Sequence, residues 1–283
     1  MSNKKGFKVF MISFVVSLII LGSMFFVFLL YMKVSVADTP KNDVPYKSSY
    51  KPQESENLSV LVIGCEDKSK LPAFFHIIRY DAVNSAIYPI ALSPQTLCTI
   101  DKKEQTLSQA YDYYGVDGGV RGCEDLFSCE ISKYLRVDIS QIEDIISFFG
   151  GVDYDVLKKT TYKERTIDAG NQLLDGRRFA TFMFANEKVP VAQSDLLQSL
   201  FRSKFNKTLL ASYDTFIKKI FACNDTDLCE YDIMTRKTGF THSLLEETLL
   251  IKSIETSGDY DESETKLVLN QSSIDTVAAI LAD

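Results

Sequence analysis

Arg177 and Arg178 stand side by side, and a basic run extends from Lys158 to Arg165. Residues of this type can face a phosphate or pyrophosphate, because a guanidinium fork matches anionic oxygens. By residue type alone they are more often a solvated surface. Acids pair in "CEDK" (Glu66, Asp67) and "DYD" (Asp153, Asp155). Such pairs can hold a divalent cation, although exposed acids at strand ends are common. "GVDGGVRG", Gly115 to Gly122, lacks the Lys-Ser/Thr of a P-loop and the dinucleotide spacing. It reads as a tight loop entering a helix, and an anion at that helix start is the weaker reading. "NDTD" (Asn224 to Asp227) has no Glu to close an EF-hand loop. There is no G-x-S-x-G and no plausible Ser/His/Asp order. His76 falls in mid-strand and reads as structural.

The six cysteines are Cys65, Cys98, Cys123, Cys129, Cys223 and Cys229. An even count outside the cytoplasm suggests disulfides. Cys123/Cys129 and Cys223/Cys229 share a spacing that a continuous helix would stretch to about 9 Å along its axis. Each pair therefore closes only if a helix ends between its members, for which Ser128 and "NDTD" are suitable stops. Cys65 and Cys98 each lie just past a predicted strand. If those strands are parallel neighbours, a third bridge is expected between them. Free thiols are the alternative. Zinc is disfavoured, because no C-x-x-C occurs and the two histidines, His76 and His242, lie far from the cysteine pairs.

The elements that must position these residues are legible in outline. "LSVLVIGCED" is a buried strand, and "AFFHIIRYD" and "SAIYPIALS" form a hairpin across "DAVNS". A helix is predicted around Val120 to Ser128, and "ISKYLRVDI" is a strand. "SQIEDIISFFGG" is a helix with a capping box at Ser140 and Glu143, stopped by Gly150-Gly151. "VDYDV" is a strand, Leu157 to Gln172 a polar excursion, and "LLDGRRFATFMF" and "SDLLQSLFRSKF" are helices. "TKLVLN" is a late strand. The pattern implies an α/β fold, a mixed central sheet with helices on both faces.

Phe10 to Met32 contains no charged residue. At about 1.5 Å per residue it makes a helix of roughly 35 Å, long enough to span a bilayer. Lys4, Lys5 and Lys8 precede it, so the N-terminus is expected in the cytoplasm and the rest outside. The expected organisation is a cytoplasmic N-terminus 1–9, a transmembrane helix 10–32, an extracytoplasmic linker 33–57 with Pro40, Pro45 and Pro52, and a domain 58–283. The predicted location is the cell membrane, single-pass, with the C-terminal domain extracytoplasmic. The formal charge of -7 argues against a general nucleic-acid binder.

The order of segments resembles the LytR–CpsA–Psr family of cell-envelope proteins. The most specific part runs "LSQAYDYYGVDGGV…CEDLFSCEISKYLRVDISQIEDIISFFGGVDYDV", followed by "LLDGRRFATFMF". "VLVIGCED" stands where the family's first strand ends in Gly-Thr-Asp. The resemblance implies an LCP-like α/β/α sandwich that binds polyprenyl-(pyro)phosphate lipids in a deep apolar pocket. It further implies transfer of teichoic-acid or capsule glycopolymers onto peptidoglycan, with Mg²⁺ and a set of arginines and aspartates at the pocket mouth. Cations on the developing charge are what phosphoryl transfer requires.

The sequence departs from the family at those positions. In place of Pro-Arg-Asp-Thr it has "PQTL", so Gln95 stands for the arginine and Thr96 for the aspartate. The metal-holding aspartate falls near Ala73 or Phe74, and the arginine of the next helix at Phe184. A later Asp-x-x-Arg-x-x-Arg-Gln pattern aligns with Asn186, Val189, Ala192 and Gln193, of which the glutamine survives. The expectation is a non-catalytic binder of a polyprenyl-phosphate lipid or cell-wall glycan, or of an envelope partner. No resident metal is expected, with Mg²⁺ required only if the family activity persists. The alternative is an active phosphotransferase using Asp67, Arg177 and Arg178 as substitutes.

Overall fold

The computed structural model describes residues 50–282, apart from 68–70, 224 and 264. The proposed transmembrane segment and most of the proposed linker lie outside the described residues. Among the described residues, no helix is long and apolar enough to cross a membrane.

The central sheet is built on β1 (Leu58–Cys65), a run of β-branched and aliphatic residues without a turn former until Gly64. β1 pairs antiparallel with β2 (Pro72–Asp81) and parallel with β6 (Lys133–Asp138). β3 (Ala86–Leu92) forms the expected hairpin with β2. Short strands β11 (Asp225–Thr226) and β12 (Leu250–Ile251) complete the order β11-β6-β1-β2-β3-β12. Small hairpins lie outside this sheet: β4 (Leu97–Ile100) with β5 (Lys103–Thr106), β7 (Val152–Val156) with β10 (Gly170–Leu174), β8 (Thr160–Tyr162) with β9 (Arg165–Ile167), and β13 (Gly258–Tyr260) with β14 (Leu267–Leu269).

Helices cover both faces. Leu61 and Ile63 point into a core closed by α1 (Leu107–Tyr114), α2 (Val116–Phe127) and α8 (Gln271–Ala282). Leu58, Val60 and Val62 face the other core. It is covered by α3 (Ile139–Phe148), α4 (Gly176–Ala185), α5 (Pro190–Lys204), α6 (Tyr213–Phe221) and α7 (Glu230–Leu245). The alternation follows from the two-residue period of a strand.

Two local expectations shift. The glycine run is helical rather than a loop, because α2 lies close to its neighbours. A Cβ at Gly122 would meet Leu107 at 2.6 Å, and one at Gly119 would meet Phe75 at 3.0 Å. The α3 capping box is Asp138 with Gln141, not Ser140 with Glu143. β6 runs directly into the helix, so its last residue becomes the N-cap. Asp138 Oδ1 accepts from the Gln141 amide at 2.9 Å.

The three expected disulfides are not formed, and all six cysteines are free thiols. β1 and β3 are parallel to each other but β2 lies between them, which sets them about 9.6 Å apart. The Cys65 thiol turns to the Tyr111 hydroxyl at 3.9 Å and that of Cys98 to the Gln105 carbonyl at 3.3 Å. α2 does end before Ser128, which is left-handed at φ 50°, but Cys123 stays buried on the core side. Cys223 donates to the Lys219 carbonyl at 3.7 Å, whereas Cys229 donates to Asp232 Oδ2 at 3.1 Å. Burial pushes the Cys98 thiol up to about 12 and those of Cys129 and Cys223 to about 11. Thiols held protonated are weak nucleophiles. Alkylation of the denatured, unreduced protein is therefore expected to modify six thiols, read as a mass increment. A shortfall of two or more would restore a bridge.

Candidate functional site

Between the sheet and α3–α7 lies an apolar cavity of about 310 Å³. Its walls include Val60, Val62, Ile146, Met183, Leu200 and Phe240. Along β1 it runs from Leu58 to Val62, about 13 Å at the rise of a strand. Its size falls at the low end of small-molecule sites, which occupy about 300–1,000 Å³. The packing that leaves it is set by the helices: α3 turns Ile142, Ile145 and Ile146 inward, and α5 turns Leu197, Leu200 and Phe201 inward.

Beyond the C-terminal half of β1 is a second hollow of about 430 Å³, more polar in its lining. Glu66, Ser93, Gln95, Ser108, Phe184 and Glu187 line this mouth. Ala73 lines it too, whereas its neighbour Phe74 lines the apolar cavity; the β1–β2 register shifts at this point.

Aromatic rings stand between the two spaces. Phe74 stacks on His76 with centroids 4.5 Å apart and meets Phe184 edge-on at 5.7 Å. Tyr162 adds a ring 5.6 Å from Phe184. The Phe74 ring fits because its cross-strand partner is Gly64, where a Cβ would approach the ring to 2.0 Å.

Behind these rings His76 and Gln193 are both buried. The Gln193 side-chain amide donates to the Met183 carbonyl at 2.7 Å, and a carbonyl can only accept. Gln193 Oε1 therefore faces His76 Nε2, 3.1 Å away, and Nε2 carries the proton. Burial holds the His76 pKa down to about 4, against a weaker upward pull from the Gln193 hydrogen bond. The imidazole is thus neutral at physiological pH and adds no cation to the site.

The sequence-predicted residues are brought together in part. Gln95 and Phe184 share the mouth, while Thr96 and Gln193 are fully buried beside it or behind it. Gln95 Oε1 and Thr96 Oγ1 are buried without a hydrogen-bond partner among the described residues. The substitutes do not join them. Arg177 and Arg178 are exposed at the start of α4, because Phe179, Met183 and Phe184 occupy its inner face. Arg178 donates from its backbone to the N-cap Asp175 at 2.9 Å. Asp67 borders a cleft of about 10 Å³ with Arg136, Asp138 and Asp225, room for one water.

Two charges flagged in the sequence meet at the mouth, Lys163 of the basic run and Glu66 of "CEDK". Lys163 pairs with Glu66 and sits 5.6 Å over the Tyr162 ring. Glu187 is the second acid. Mg²⁺ commonly binds through one or two carboxylates, and the mouth offers Glu187 and an engaged Glu66. Glu66 is engaged by Lys163, the neighbouring side chains are amide and hydroxyl groups, and no cluster of three potential metal ligands occurs among the described residues. At the far end of the cavity lies Arg236. The helical spacing of Ile233, Arg236 and Phe240 marks it as inward-facing, a signal present in the sequence.

A mixed α/β domain with an apolar cavity under its sheet is thus defined. The chain belongs to the LytR_cpsA_psr family, whose model matches residues 26–283. No curated protein matches the sequence. Among solved structures it is similar to Bacillus subtilis TagV, at 17% identity and TM-score 0.63, over 81% of this chain and 97% of that one. It is also similar to YwtF (TagT) with bound octaprenyl pyrophosphate lipid, at 16% identity and TM-score 0.57, over 81% and 92%. TagT bound to LIIa-WTA matches at 18% identity and TM-score 0.61, over 80% and 91%.

Two outcomes are expected. Gly64→Ala should cost about 1–3 kcal/mol in chemical denaturation through overpacking, and less in a Phe74→Ala background, where the ring is gone. His76 has a folded pKa below its unfolded value, so the unfolded state binds more protons between about 4 and 6.5. Its contribution is intact above pH 6.5 and is lost as pH falls toward 4. At 1.36 kcal/mol per unit, the wild type should lose on the order of 3 kcal/mol more than His76→Gln over that window. Parallel urea curves for the two proteins would refute this assignment.

Proposed function

We propose that the protein is a cell-envelope binding member of its family. It holds the hydrocarbon part of a lipid-linked glycan or related lipid in the apolar cavity and does not carry out the family's phosphotransfer. The observation that carries this reading is the contrast between the two spaces. The cavity is apolar, while Gln95, Thr96, Phe184 and Gln193, which the resemblance aligns with the family's charged positions, are uncharged. A developing phosphoryl charge would meet an amide, a hydroxyl, a phenyl ring and two acids, one of which already holds Lys163. One well-placed electrostatic donor contributes roughly 3 kcal/mol to such a reaction, so replacing the set removes most of the catalysis. The octaprenyl pyrophosphate bound by TagT supports a lipid ligand of this class.

The charge-free segment Phe10 to Met32 supports membrane anchoring, with residues 58–283 outside the cell. The lysines before it give the orientation. In that setting the protein would sequester or present a lipid intermediate to other envelope proteins.

The direct test uses the purified full chain, octaprenyl pyrophosphate and Mg²⁺. Lipid is expected to co-purify or titrate onto the protein with no phosphate release above background. Phosphate release that disappears in Arg178→Ala would overturn the reading and establish the substitute-residue transferase.

A further inference from the structure

We propose that the apolar cavity takes an amphiphile with one hydrocarbon chain and an anionic head, carboxylate or phosphate, and that the head docks on Arg236, at the end away from the mouth. The proposal rests on the cavity holding a lipid chain and adds the direction in which the chain lies.

The two ends of the cavity differ in charge and in access. At the end near Val62, Phe74 and His76 form the wall, and Phe184 backs them from the mouth side. An anion beyond that wall would face Glu187 and a Glu66 whose charge is shared with Lys163, so the cation there is already paired with a carboxylate. The His76 imidazole offers it no charge.

At the other end, near Leu58 and Tyr80, Arg236 is half-buried in the cavity wall. Its guanidinium is anchored by neutral acceptors. Nε and Nη2 donate to the Asn57 carbonyl at 3.3 and 3.0 Å. Nη1 donates to the Asp232 carbonyl at 2.9 Å and to the Thr235 hydroxyl at 3.1 Å. Among the described residues it forms no ion pair with a carboxylate. The acids close by are otherwise engaged. Asp232 pairs with Lys133 at 3.3 Å, and Glu56, beside Gly239, accepts from the Tyr50 hydroxyl.

A partly desolvated cation on an apolar wall, held in place by backbone carbonyls, is the arrangement that recognises a carboxylate or phosphate attached to a hydrocarbon chain. Tail-first entry past Arg236, which leaves the head on the guanidinium and the chain among the apolar walls, satisfies both the charge and the lining. Entry through the mouth requires displacing Phe74 and Phe184.

Calorimetric titration of the full chain with dodecyl phosphate, dodecanol and inorganic phosphate tests this. Dodecyl phosphate should bind roughly tenfold or more tightly than dodecanol, the worth of a charge-assisted hydrogen bond. Arg236→Gln should bring the two affinities together, Arg236→Lys should keep most of the difference, and Phe184→Ala should leave it unchanged. Hydrogen exchange on the wild type locates the head independently, through protection of amides around Arg236 rather than around Phe184. A preference that survives Arg236→Gln, or that vanishes in Phe184→Ala, overturns the proposal. Inorganic phosphate binding as tightly as dodecyl phosphate also overturns it. Equal binding of dodecanol and dodecyl phosphate sinks the head assignment but leaves the lipid-chain reading standing. Failure of both to bind sinks both.

Discussion

A strand buried on both faces needs apolar partners above and below and backbone partners along both edges. β1 is such a strand, and the rest of the molecule is arranged around its demands. β2 and β6 satisfy its edges. Leu61 and Ile63 require the α1–α2–α8 layer, while Leu58, Val60 and Val62 require the α3–α7 layer. The second layer is only partly packed down, and the space it leaves is the cavity. The cavity is therefore a property of how five helices meet one sheet face, not of any single residue. Gly64 ends the strand's crowded stretch and admits the Phe74 ring, which separates that cavity from the mouth.

The chemistry of the mouth follows from this separation. Once aromatic rings fill the passage, a polar group on one side cannot act on a chain bound on the other. Glu66, Lys163 and Glu187 then belong to a surface hollow, whereas His76 and Gln193 belong to the interior. The His76–Gln193–Met183 chain of hydrogen bonds joins β2 to α4 and α5 with every partner's role assigned. It holds the helices that bear the cavity wall to the strand that bears the rings. A buried polar link of this kind is costly to leave half-made, so it fixes how α4 and α5 sit on the sheet.

The main elements were legible because their periodicity is strong. β1, the β2–β3 hairpin, α3 and α4 follow directly from apolar runs, turn residues and caps. Glycine misled at the start of α2: Gly118 and Gly119 in "GVDGGVRG" fell before the helix predicted from Val120, but they lie within it, packed close to Ala110 and Phe75. The cysteine pairings failed on topology, since the sequence does not say that β2 lies between β1 and β3. At the site, segment order aligned Gln95 and Phe184 with one family pocket, and both line the polar hollow. That Arg177 and Arg178 lie on the exposed side of α4 was not legible until the helix fixed which residues face inward. Arg236 was missed although Ile233, Arg236 and Phe240 share one helical face, because that spacing does not say that the face borders a cavity. The pairing of Lys163 with Glu66 joins segments 97 residues apart, and no local pattern encodes it.

The glycine face of α2 also bears on how the molecule is made. Glycine is less favourable than alanine in a helix by about 1 kcal/mol per residue, and a helix of this length is marginal alone in water. Gly118, Gly119 and Gly122 together leave α2 without the means to form independently. It becomes helical when the sheet and α1 supply the surface that the missing side chains allow it to reach. Assembly of this layer is thus an ordered event, with a template and a segment moulded to it. A side chain added on that face would be felt during folding as well as in the finished core.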